Sequence, residues 1–239
     1  MRYFPFLLSC IFLFSCSEST EEVTKEAPAK LTSNKVAISN KTMESPLYVS
    51  YDYGTTWEDI GEGLPDSVGV SRIGRLGNYE GMAAVNNYLV FGTARHGVYM
   101  TQEGSKDWVQ IGEGLPNKQI DRLHINEDDI YVSIFKEGIF VTSDKGEKWT
   151  NITYNLSNLS VQSMTTIEGR LLVGTDGGIY KLDSSRKNWK KVFDDIQTNS
   201  IDEYQGKLIA GNRKGVIVSE DQGETWEWIY ENNNARMAI

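Results

Sequence analysis

Positively charged side chains recur in the short segments that separate apolar runs of this 239-residue chain. An arginine guanidinium can donate two parallel hydrogen bonds to a carboxylate or phosphate, whereas a lysine supplies a compact positive charge. Because the whole chain has a formal net charge of -9, a cluster of cations on this acidic body would concentrate anions. The alternative is that these cations are ordinary solvated loop residues. The candidate ligand-binding set is Arg72, Arg75, Arg95, His96, Arg122, Lys136, Arg213 and Lys214.

Residues in catalytic or metal-binding patterns are scarce. Asp202 and Glu203, together with Asp121, could supply the two carboxylates that glycoside hydrolysis requires. Neighbouring residues of a strand point to opposite faces, however, which favours solvated positions for Asp202 and Glu203. The two histidines, His96 and His124, are too few for a multi-histidine metal site. We therefore predict no catalytic residue, no metal site and no cofactor.

One octet recurs five times and ends each time on tryptophan. Its fullest copy is Ser219-Glu-Asp-Gln-Gly-Glu-Thr-Trp226, and the other copies end at Trp57, Trp108, Trp149 and Trp189. The five tryptophans are 51, 41, 40 and 37 residues apart. A period of about 40 residues with short apolar runs is typical of propellers and solenoid arrays.

The residue types within the octet predict a tight turn between two strands. An aspartate can accept hydrogen bonds from the backbone of its own turn, glycine tolerates a positive φ, and a tryptophan can pack on the neighbouring repeat. The residues with these roles are Asp52, Gly54, Trp57, Trp108, Asp144, Gly146, Trp149, Trp189, Asp221, Gly223 and Trp226. Two copies depart from the pattern, which predicts turns of a different shape. Aspartate and glycine are replaced by Glu103 and Ser105 in the second copy, and by Ser184 and Arg186 in the fourth.

Each repeat reads as four short strands. A second strand ends near Gly-Thr, as at residues 88–93 and 170–175, and a third strand opens on glycine and leads to the octet. The inner strands that precede them are at residues 82–85, 123–125, 164–167 and 201–204. The loops between second and third strands then carry Arg95, His96, Lys136, Arg213 and Lys214, whereas Arg72, Arg75 and Arg122 lie between repeats.

The octet resembles the Asp-box, or BNR repeat, of sialidase-like β-propellers, which sortilin-type and photosystem II assembly-factor-type propellers share. The resemblance covers nearly the whole chain after the leader and implies an all-β propeller. It also implies that the octets lie at the outer rim, away from a ligand face built from the loops between second and third strands. The segment before the first octet lacks the Arg-Ile-Pro motif of sialidases, so we favour a binding role over catalysis.

The two ends of the chain predict how the propeller closes. Residues 36–39, 47–50 and 57–60 align with second, third and fourth strands, and residues 236–239 align with inner strands. We therefore expect residues 34–239 to form a five-bladed β-propeller with four antiparallel strands per blade, closed by a composite blade from the N- and C-termini. The alternative is a fragment of a six- or seven-bladed protein. The long interruption at residues 66–81 is predicted to be a mobile lid or a partner-contact loop.

Residues 1–15 predict a lipoprotein signal peptide. Arg2 precedes an apolar run at residues 3–14, and Leu13-Phe-Ser-Cys16 resembles a bacterial lipobox, in which the cysteine becomes lipidated. Cys10 ends a similar motif but would leave a short apolar run, and a cleaved secretory signal with an incidental Cys16 is a further alternative. Residues 16–33 are polar and acidic, which predicts a disordered tether. The acidic residues after Cys16 resemble the export signal of surface lipoproteins in the Bacteroidetes.

These features predict a lipid-anchored outer-membrane protein of a bacterial cell envelope that acts as a binding or assembly module. The expected partners are the membrane, through the N-terminal lipid, and a protein or anionic glycan at the top-face loops. Nucleic acid is excluded as a partner because the negative net charge opposes it. The alternative function is that of a glycan-cleaving, sialidase-like glycoside hydrolase.

Overall fold

The structure, a computed structural model, describes residues 47–65, 81–85, 87–157, 160–194 and 197–232. These residues form 18 strands and no helix, and so they contain no helix that could cross a membrane. Several predictions lie outside the described residues: the signal peptide with Cys16, the tether, the strands at 36–39 and 236–239, the interruption at 66–80, and the side chains of Arg72 and Arg75.

The strands form one two-stranded and four four-stranded antiparallel sheets, and each larger sheet pairs its strands in chain order. The first sheet comprises β1 (Tyr48–Val49) and β2 (Glu58–Asp59). The second comprises β3 (Met82–Val85), β4 (Tyr88–Gly92), β5 (Val98–Gln102) and β6 (Val109–Gln110). The third comprises β7 (Ile120–Asn126), β8 (Asp129–Ile134), β9 (Gly138–Thr142) and β10 (Thr150–Asn151). The fourth comprises β11 (Val161–Ile167), β12 (Arg170–Thr175), β13 (Gly178–Leu182) and β14 (Trp189–Asp194). The fifth comprises β15 (Thr198–Tyr204), β16 (Lys207–Asn212), β17 (Gly215–Ser219) and β18 (Glu227–Glu231).

The prediction of an all-β chain with four antiparallel strands per repeat is confirmed for these four sheets. Each predicted inner strand is the first strand of its sheet, and the first strands contact each other in series, β3 with β7, β7 with β11, and β11 with β15. Three of them begin three residues earlier than predicted, because a β-bulge extends the pairing there. Bulges bend a strand and redirect its side chains, and they leave little trace in a sequence.

The core is divided into layers between successive sheets. On β12, Leu171 and Val173 pack in the layer shared with the third sheet, whereas Leu172 packs in the layer shared with the fifth. Consecutive strand residues point to opposite faces, so a sheet covered on both faces needs a continuous apolar run. This explains the apolar second strands, such as β8, in which every residue is buried.

Glycine at the end of a second strand allows the next sheet to approach closely. A Cβ at Gly92 would lie 2.8 Å from Cγ2 of Ile120, and a Cβ at Gly174 would lie 2.8 Å from the carbonyl oxygen of Thr198. Ile120 and Thr198 open the first strands of the following sheets. The recurrent Gly-Thr of the sequence is therefore a packing requirement between neighbouring sheets.

The first, third and fifth octets form the same turn. In the fifth, Asp221 Oδ1 accepts hydrogen bonds from the Ser219 hydroxyl (2.8 Å) and from the backbone N–H of Thr225 (2.9 Å), and Gly223 N donates to Ser219 Oγ (2.7 Å). Gly223 has a φ of 85°, and Gln222 before it also adopts a positive φ, 61°. The hydrogen bond from the Thr225 hydroxyl is the largest of the effects that lower the pKa of Asp221 to about 2.

The second and fourth octets form turns of a different shape, as the sequence predicts. In the second, Thr101 Oγ1 donates to the carbonyl oxygen of Asp107 (2.9 Å), so a hydroxyl and a backbone group replace the carboxylate. In the fourth, Asp183 stands one position before the expected aspartate and accepts from the Ser185 hydroxyl (2.8 Å) and from Lys187 N (3.0 Å). The hydroxyl of Ser185 is the main cause that lowers the pKa of Asp183 to about 2.

The octet tryptophans connect each repeat to the one before it. Trp108, Trp149 and Trp189 donate their indole N–H to the carbonyl oxygens of Ile60 (2.5 Å), Ile111 (2.7 Å) and Ile152 (2.7 Å). Each of these isoleucines directly follows the fourth strand of the preceding repeat or, for Ile60, the second described strand of the first repeat. The indole N–H thus satisfies a carbonyl of another sheet while the ring packs against it.

Two tryptophans depart from this arrangement. Trp226 Nε1 is buried and has no hydrogen-bond partner among the described residues. Val192 stands where the other repeats carry the accepting isoleucine, and it lies at the register shift between β13 and β14. Trp57 in the first octet is 63% exposed and donates to the carbonyl of Gly54 in its own turn (3.2 Å).

We predict that the octet glycine is needed for contact between repeats and not only for its φ. A Cβ at Gly146 (φ 89°) would lie 2.5 Å from the carbonyl oxygen of Ile111, whereas a Cβ at Gly104 (φ 80°) would meet no atom within 4 Å. Gly104→Ala should lower the free energy of unfolding by about 1 kcal/mol through the strained φ alone. Gly146→Ala should cost about 3 kcal/mol or more, because the clash adds to the strain. Urea unfolding of both variants is the measurement, and equal losses would contradict the prediction.

Candidate functional site

The loops between second and third strands lie at one end of the four larger sheets. Arg122 of β7 bonds to Gln162 of β11, and His124 bonds to Thr166, so β7 and β11 run in the same direction. With first strands adjacent and strands paired in chain order, equivalent loops meet at the same end. We call this set of loops the loop face; it comprises residues 93–97, 135–137, 176–177 and 213–214.

Polar side chains at the ends of the second strands fix three of these loops. Thr93 Oγ1 donates to the carbonyl of Gly97 (2.9 Å) and accepts from His96 N (2.8 Å). Thr175 makes the equivalent bond to the carbonyl of Gly178 (2.9 Å). Asn212 Oδ1 takes this role in the fifth sheet, where it accepts from the backbone N–H of Lys214 (2.8 Å). The loops are therefore short and held in place, which suits a binding face.

Four of the predicted cations are exposed on the loop face. Arg95, Lys136, Arg213 and Lys214 come from the second, third and fifth sheets, and none forms an ion pair within the described residues. The Lys136 ammonium lies 5.1 Å from the centre of the Phe135 ring. His96 is half-buried, and its carbonyl accepts from Gln110 Nε2 (2.8 Å).

Arg122 has a different place from the one that its sequence position indicates. Its side chain is 6% exposed, Nε donates to the carbonyl of Gln162 (2.6 Å), and one terminal nitrogen donates to the carbonyl of Asp121 (2.7 Å). A guanidinium bound to two backbone carbonyls holds neighbouring sheets together, so we remove Arg122 from the proposed ligand set.

The loop face also carries acidic groups, Glu137 and Asp176, and Asp176 accepts a hydrogen bond from Gln162 Nε2 (2.9 Å). Its charge is thus mixed, with cations in excess.

A polar seam runs between the first strands of the third and fourth sheets. His124 Nε2 lies 3.1 Å from Thr166 Oγ1, and the Thr166 hydroxyl donates to Asn126 Oδ1 (3.0 Å). Because the hydroxyl has one proton, Nε2 of His124 must be the donor to Thr166. Burial lowers the pKa of His124 to about 4, although the charge of Asp202 opposes the shift. His124 is therefore a neutral, half-buried residue that is hydrogen-bonded between two sheets.

The carboxylates considered for glycoside hydrolysis have different surroundings. Asp202 Oδ1 accepts from the N–H of Glu203 (2.8 Å), and Glu203 Oε1 accepts from Gly206 N (2.6 Å), so both support the β15–β16 hairpin. Asp121 differs, because burial raises its pKa against the effect of Arg122. Within the described part of the chain, no group of three histidine, cysteine, aspartate or glutamate side chains could hold a metal ion.

A polar cluster between the third and fourth sheets was not predicted from the sequence. Asp129 at the start of β8 accepts hydrogen bonds from Ser143, from Tyr131 (3.0 Å) and from the guanidinium of Arg186 (2.5 Å). Arg186 occupies the glycine position of the fourth octet and has a φ of 57°. The replacement of an expected glycine by arginine was the only sign of this cluster in the sequence.

Comparisons with known proteins identify the fold. No protein-family profile matches the sequence, and no curated protein is similar to it. The extracellular domain of BT4673 from B. thetaiotaomicron, described as a one component system, shares 23% identity over 64% of this chain and 22% of that chain, with a TM-score of 0.52. A GH74 enzyme of Niastella koreensis shares 18% identity over 79% of this chain and 29% of that chain, also with a TM-score of 0.52.

PorZ of Porphyromonas gingivalis, an essential bacterial surface component of the type-IX secretion system, shares 11% identity over 65% of this chain and 28% of that chain, with a TM-score of 0.50. This chain thus spans between 22% and 29% of the length of these proteins. At these identities the likeness concerns the fold, and it agrees with the series of four-stranded antiparallel sheets. The chain has a β-propeller fold.

We predict that His124 makes the fold less stable in mild acid. A histidine with a folded pKa of about 4 stabilises the fold fully above its unfolded pKa of about 6.5, and this stability is lost as the pH falls towards 4. The loss should approach 3 kcal/mol, since a difference of one between the folded and unfolded pKa corresponds to about 1.4 kcal/mol. Urea midpoints between pH 7 and 4.5 should fall for the wild type and for His96→Gln, but less steeply for His124→Gln. Parallel curves for all three proteins would refute this role.

Proposed function

We propose that this chain is a lipid-anchored β-propeller of a bacterial cell envelope that binds a protein or an anionic glycan through its loop face. The observation that carries the proposal is the convergence of Arg95, Lys136, Arg213 and Lys214 on one end of the sheets, exposed and without ion pairs in the described residues. Long cationic side chains held on fixed loops can approach an extended anionic ligand from several repeats. Arg72 and Arg75 belong to the same proposal, although they lie outside the described residues.

The proposed location in the envelope rests on two observations. The leader ends in the lipobox-like Leu13-Phe-Ser-Cys16, and an acidic segment follows. Two proteins of similar fold are described as an extracellular domain and as a bacterial surface component. A lipid on Cys16 would anchor the protein in the outer membrane, and the tether at residues 16–33 would hold the loop face away from the bilayer. Nucleic acid is not among the proposed partners.

We further propose that the octets are Asp-boxes and that the propeller has five blades. The turns of the first, third and fifth octets share one hydrogen-bond pattern, in which a hydroxyl and an aspartate hold a glycine at positive φ. Five octets correspond to five repeats, four of which are complete sheets in the described residues. Residues 36–39 and 236–239 would complete the first repeat.

The second candidate function is that of a glycan-cleaving glycoside hydrolase. One observation favours it: burial raises the pKa of Asp121, as a general acid requires, at the start of a first strand next to the loop face. The Niastella koreensis protein of similar fold is a GH74 enzyme. No second carboxylate is among the groups that shift the pKa of Asp121, so we place binding first.

The binding proposal predicts a charge-dependent loss in Arg95→Ala, Arg213→Ala. Each lost contact from a guanidinium to a carboxylate or sulfate should cost about 1.5 kcal/mol, so the double variant should bind acidic glycans or envelope proteins at least about tenfold more weakly at low salt. Arg213→Lys should lose nearly as much as Arg213→Ala, because an ammonium cannot form the two parallel bonds. The measurement is binding to an array of acidic glycans and to solubilised envelope proteins at low and moderate salt.

The control is Lys207→Ala, since Lys207 lies away from the loop face and forms an exposed pair with Glu220. Equal binding by the wild type and the double variant, without salt dependence, would contradict the loop-face proposal. Turnover of fluorogenic glycosides that disappears in Asp121→Asn would instead establish the second candidate function.

A further inference from the structure

A second concave site lies between the third and fourth octets. It is an open cavity of about 300 Å³, and Lys148 of the third octet and Arg186 and Lys187 of the fourth are among the residues that line it. The octets follow the third strands, whereas the loop face precedes them. The cavity begins at the octet end and extends along β10 to Tyr154, next to the start of β9, and its lining includes no residue of the second or fifth sheet.

Arg186 is held at this cavity at a conformational cost. It has a φ of 57°, where the first, third and fifth octets carry glycine. A non-glycine residue in this region costs about 1 kcal/mol. The guanidinium donates to Asp129 (2.5 Å), which offsets this cost, and Ser143 and Tyr131 complete the hydrogen bonds of that carboxylate. A guanidinium fixed in this way presents its remaining N–H groups in a defined position.

The two lysines of the cavity are placed where the fifth octet carries residues of different chemistry. In the fifth octet the position of Lys187 is held by Glu224, which accepts from Lys181 (2.7 Å) and Lys190 (2.8 Å) of the fourth sheet. The position of Lys148 is held by Thr225. At the contact between the fourth and fifth repeats, Glu224 thus neutralises lysine charges, whereas the octets at the contact between the third and fourth repeats carry lysines at these positions.

The charge balance of the cavity fits a single anionic group. The three cations face Asp144, which lines the cavity, and Asp129, which holds Arg186, so one positive charge remains. Asp144 is already engaged, since its Oδ1 accepts from Thr142 (2.5 Å) and from Lys148 N (2.9 Å). Neither the Lys148 nor the Lys187 ammonium forms an ion pair within the described residues.

The remaining lining suits a sugar ring. Tyr154, 53% exposed, lines the cavity together with Ser143 and Ser185. An aromatic ring can pack on the C–H face of a sugar. The hydroxyl protons of Ser143 and Ser185 are bound to Asp129 and Asp183, so their oxygens can accept from the hydroxyl groups of the sugar. The volume is at the small end of the range for ligand pockets, about 300 to 1,000 Å³, which fits one residue of a glycan.

We propose that this cavity binds a single sugar residue that carries an oxyanion, either a sulfate ester or a carboxylate. Lys148, Lys187 and Arg186 bind the oxyanion, and Tyr154 contacts the ring. Arg95, Lys136, Arg213 and Lys214 do not line this cavity, so the proposal does not depend on what these cations bind. An octet, which in its regular form only shapes a turn, would in this repeat also contribute to a ligand site.

The test measures binding of four probes by NMR or calorimetry at low salt: glucose 6-sulfate, glucuronic acid, glucose and inorganic sulfate. Saturable binding of glucose 6-sulfate or of glucuronic acid is expected, and the tighter of the two identifies the oxyanion. In Lys148→Thr, Lys187→Gln this affinity should fall at least about tenfold. Thr is the residue that the first and fifth octets carry at the position of Lys148, so this variant keeps a native turn sequence there.

The matched control is Lys145→Gln in the third octet. It removes one positive charge from the same octet, at an ammonium that contacts Tyr88 of the second sheet and does not line the cavity. Gln222 already adopts the same positive φ at this position of the fifth octet. This control and Arg95→Ala, Arg213→Ala should both bind within about twofold of the wild type. The loop-face double variant therefore separates this proposal from the proposed function.

Four results would overturn the proposal: unchanged affinity in the cavity double variant, loss of binding in the loop-face double variant, equal binding of glucose, or equal binding of inorganic sulfate. The third would show that charge plays no part, and the fourth that the site takes an adventitious ion only. The thermal midpoint of each variant is recorded alongside, so that a loss of binding is assigned only to folded protein.

Discussion

The carbonyl groups that follow the fourth strands link this fold from one repeat to the next. The carbonyl of Ile111 accepts the indole N–H of Trp149, and the same carbonyl lies where a side chain on Gly146 would clash. Both contacts come from the third octet. Asp144 of this octet fixes the conformation of the turn by accepting hydrogen bonds from Thr142 and from Lys148 N. The octet is therefore a turn within one sheet and a packing surface for the sheet before it.

The two ends of the sheets are therefore under different structural constraints. At the octet end, backbone conformation and close packing restrict which residues are acceptable. At the loop face, Thr93, Thr175 and Asn212 fix the backbone with one polar side chain each, and the exposed positions are free to vary. A binding surface can change at that end without disturbing the contacts between sheets. The fourth octet shows that the restricted end can also vary, provided that Arg186 is compensated by Asp129.

Much of the fold could be predicted from the sequence because its constraints are local. The Asp-x-Gly spacing determines the turns, and the apolar runs determine the strands between them. Non-local features left no such pattern: the bulges that lengthen β7, β11 and β15, the use of Arg122 between sheets, and the Arg186–Asp129 pair. For the loop face, residue types predicted exposed cations. Arg122 is an exception, because its side chain is buried and its guanidinium is bound to two backbone carbonyls.

The most direct test of this account compares two tryptophans that are both half-buried at equivalent positions. Trp149 donates its indole N–H to Ile111 across the sheets, whereas Trp226 Nε1 is buried and has no partner in the described part of the chain. Trp149→Phe removes the hydrogen bond to the Ile111 carbonyl, while Trp226→Phe removes an N–H that has no partner among the described residues. Urea unfolding should show that Trp149→Phe loses about 1 to 2 kcal/mol more than Trp226→Phe. Equal losses, or a larger loss for Trp226→Phe, would contradict the role of the indole bond in joining the repeats.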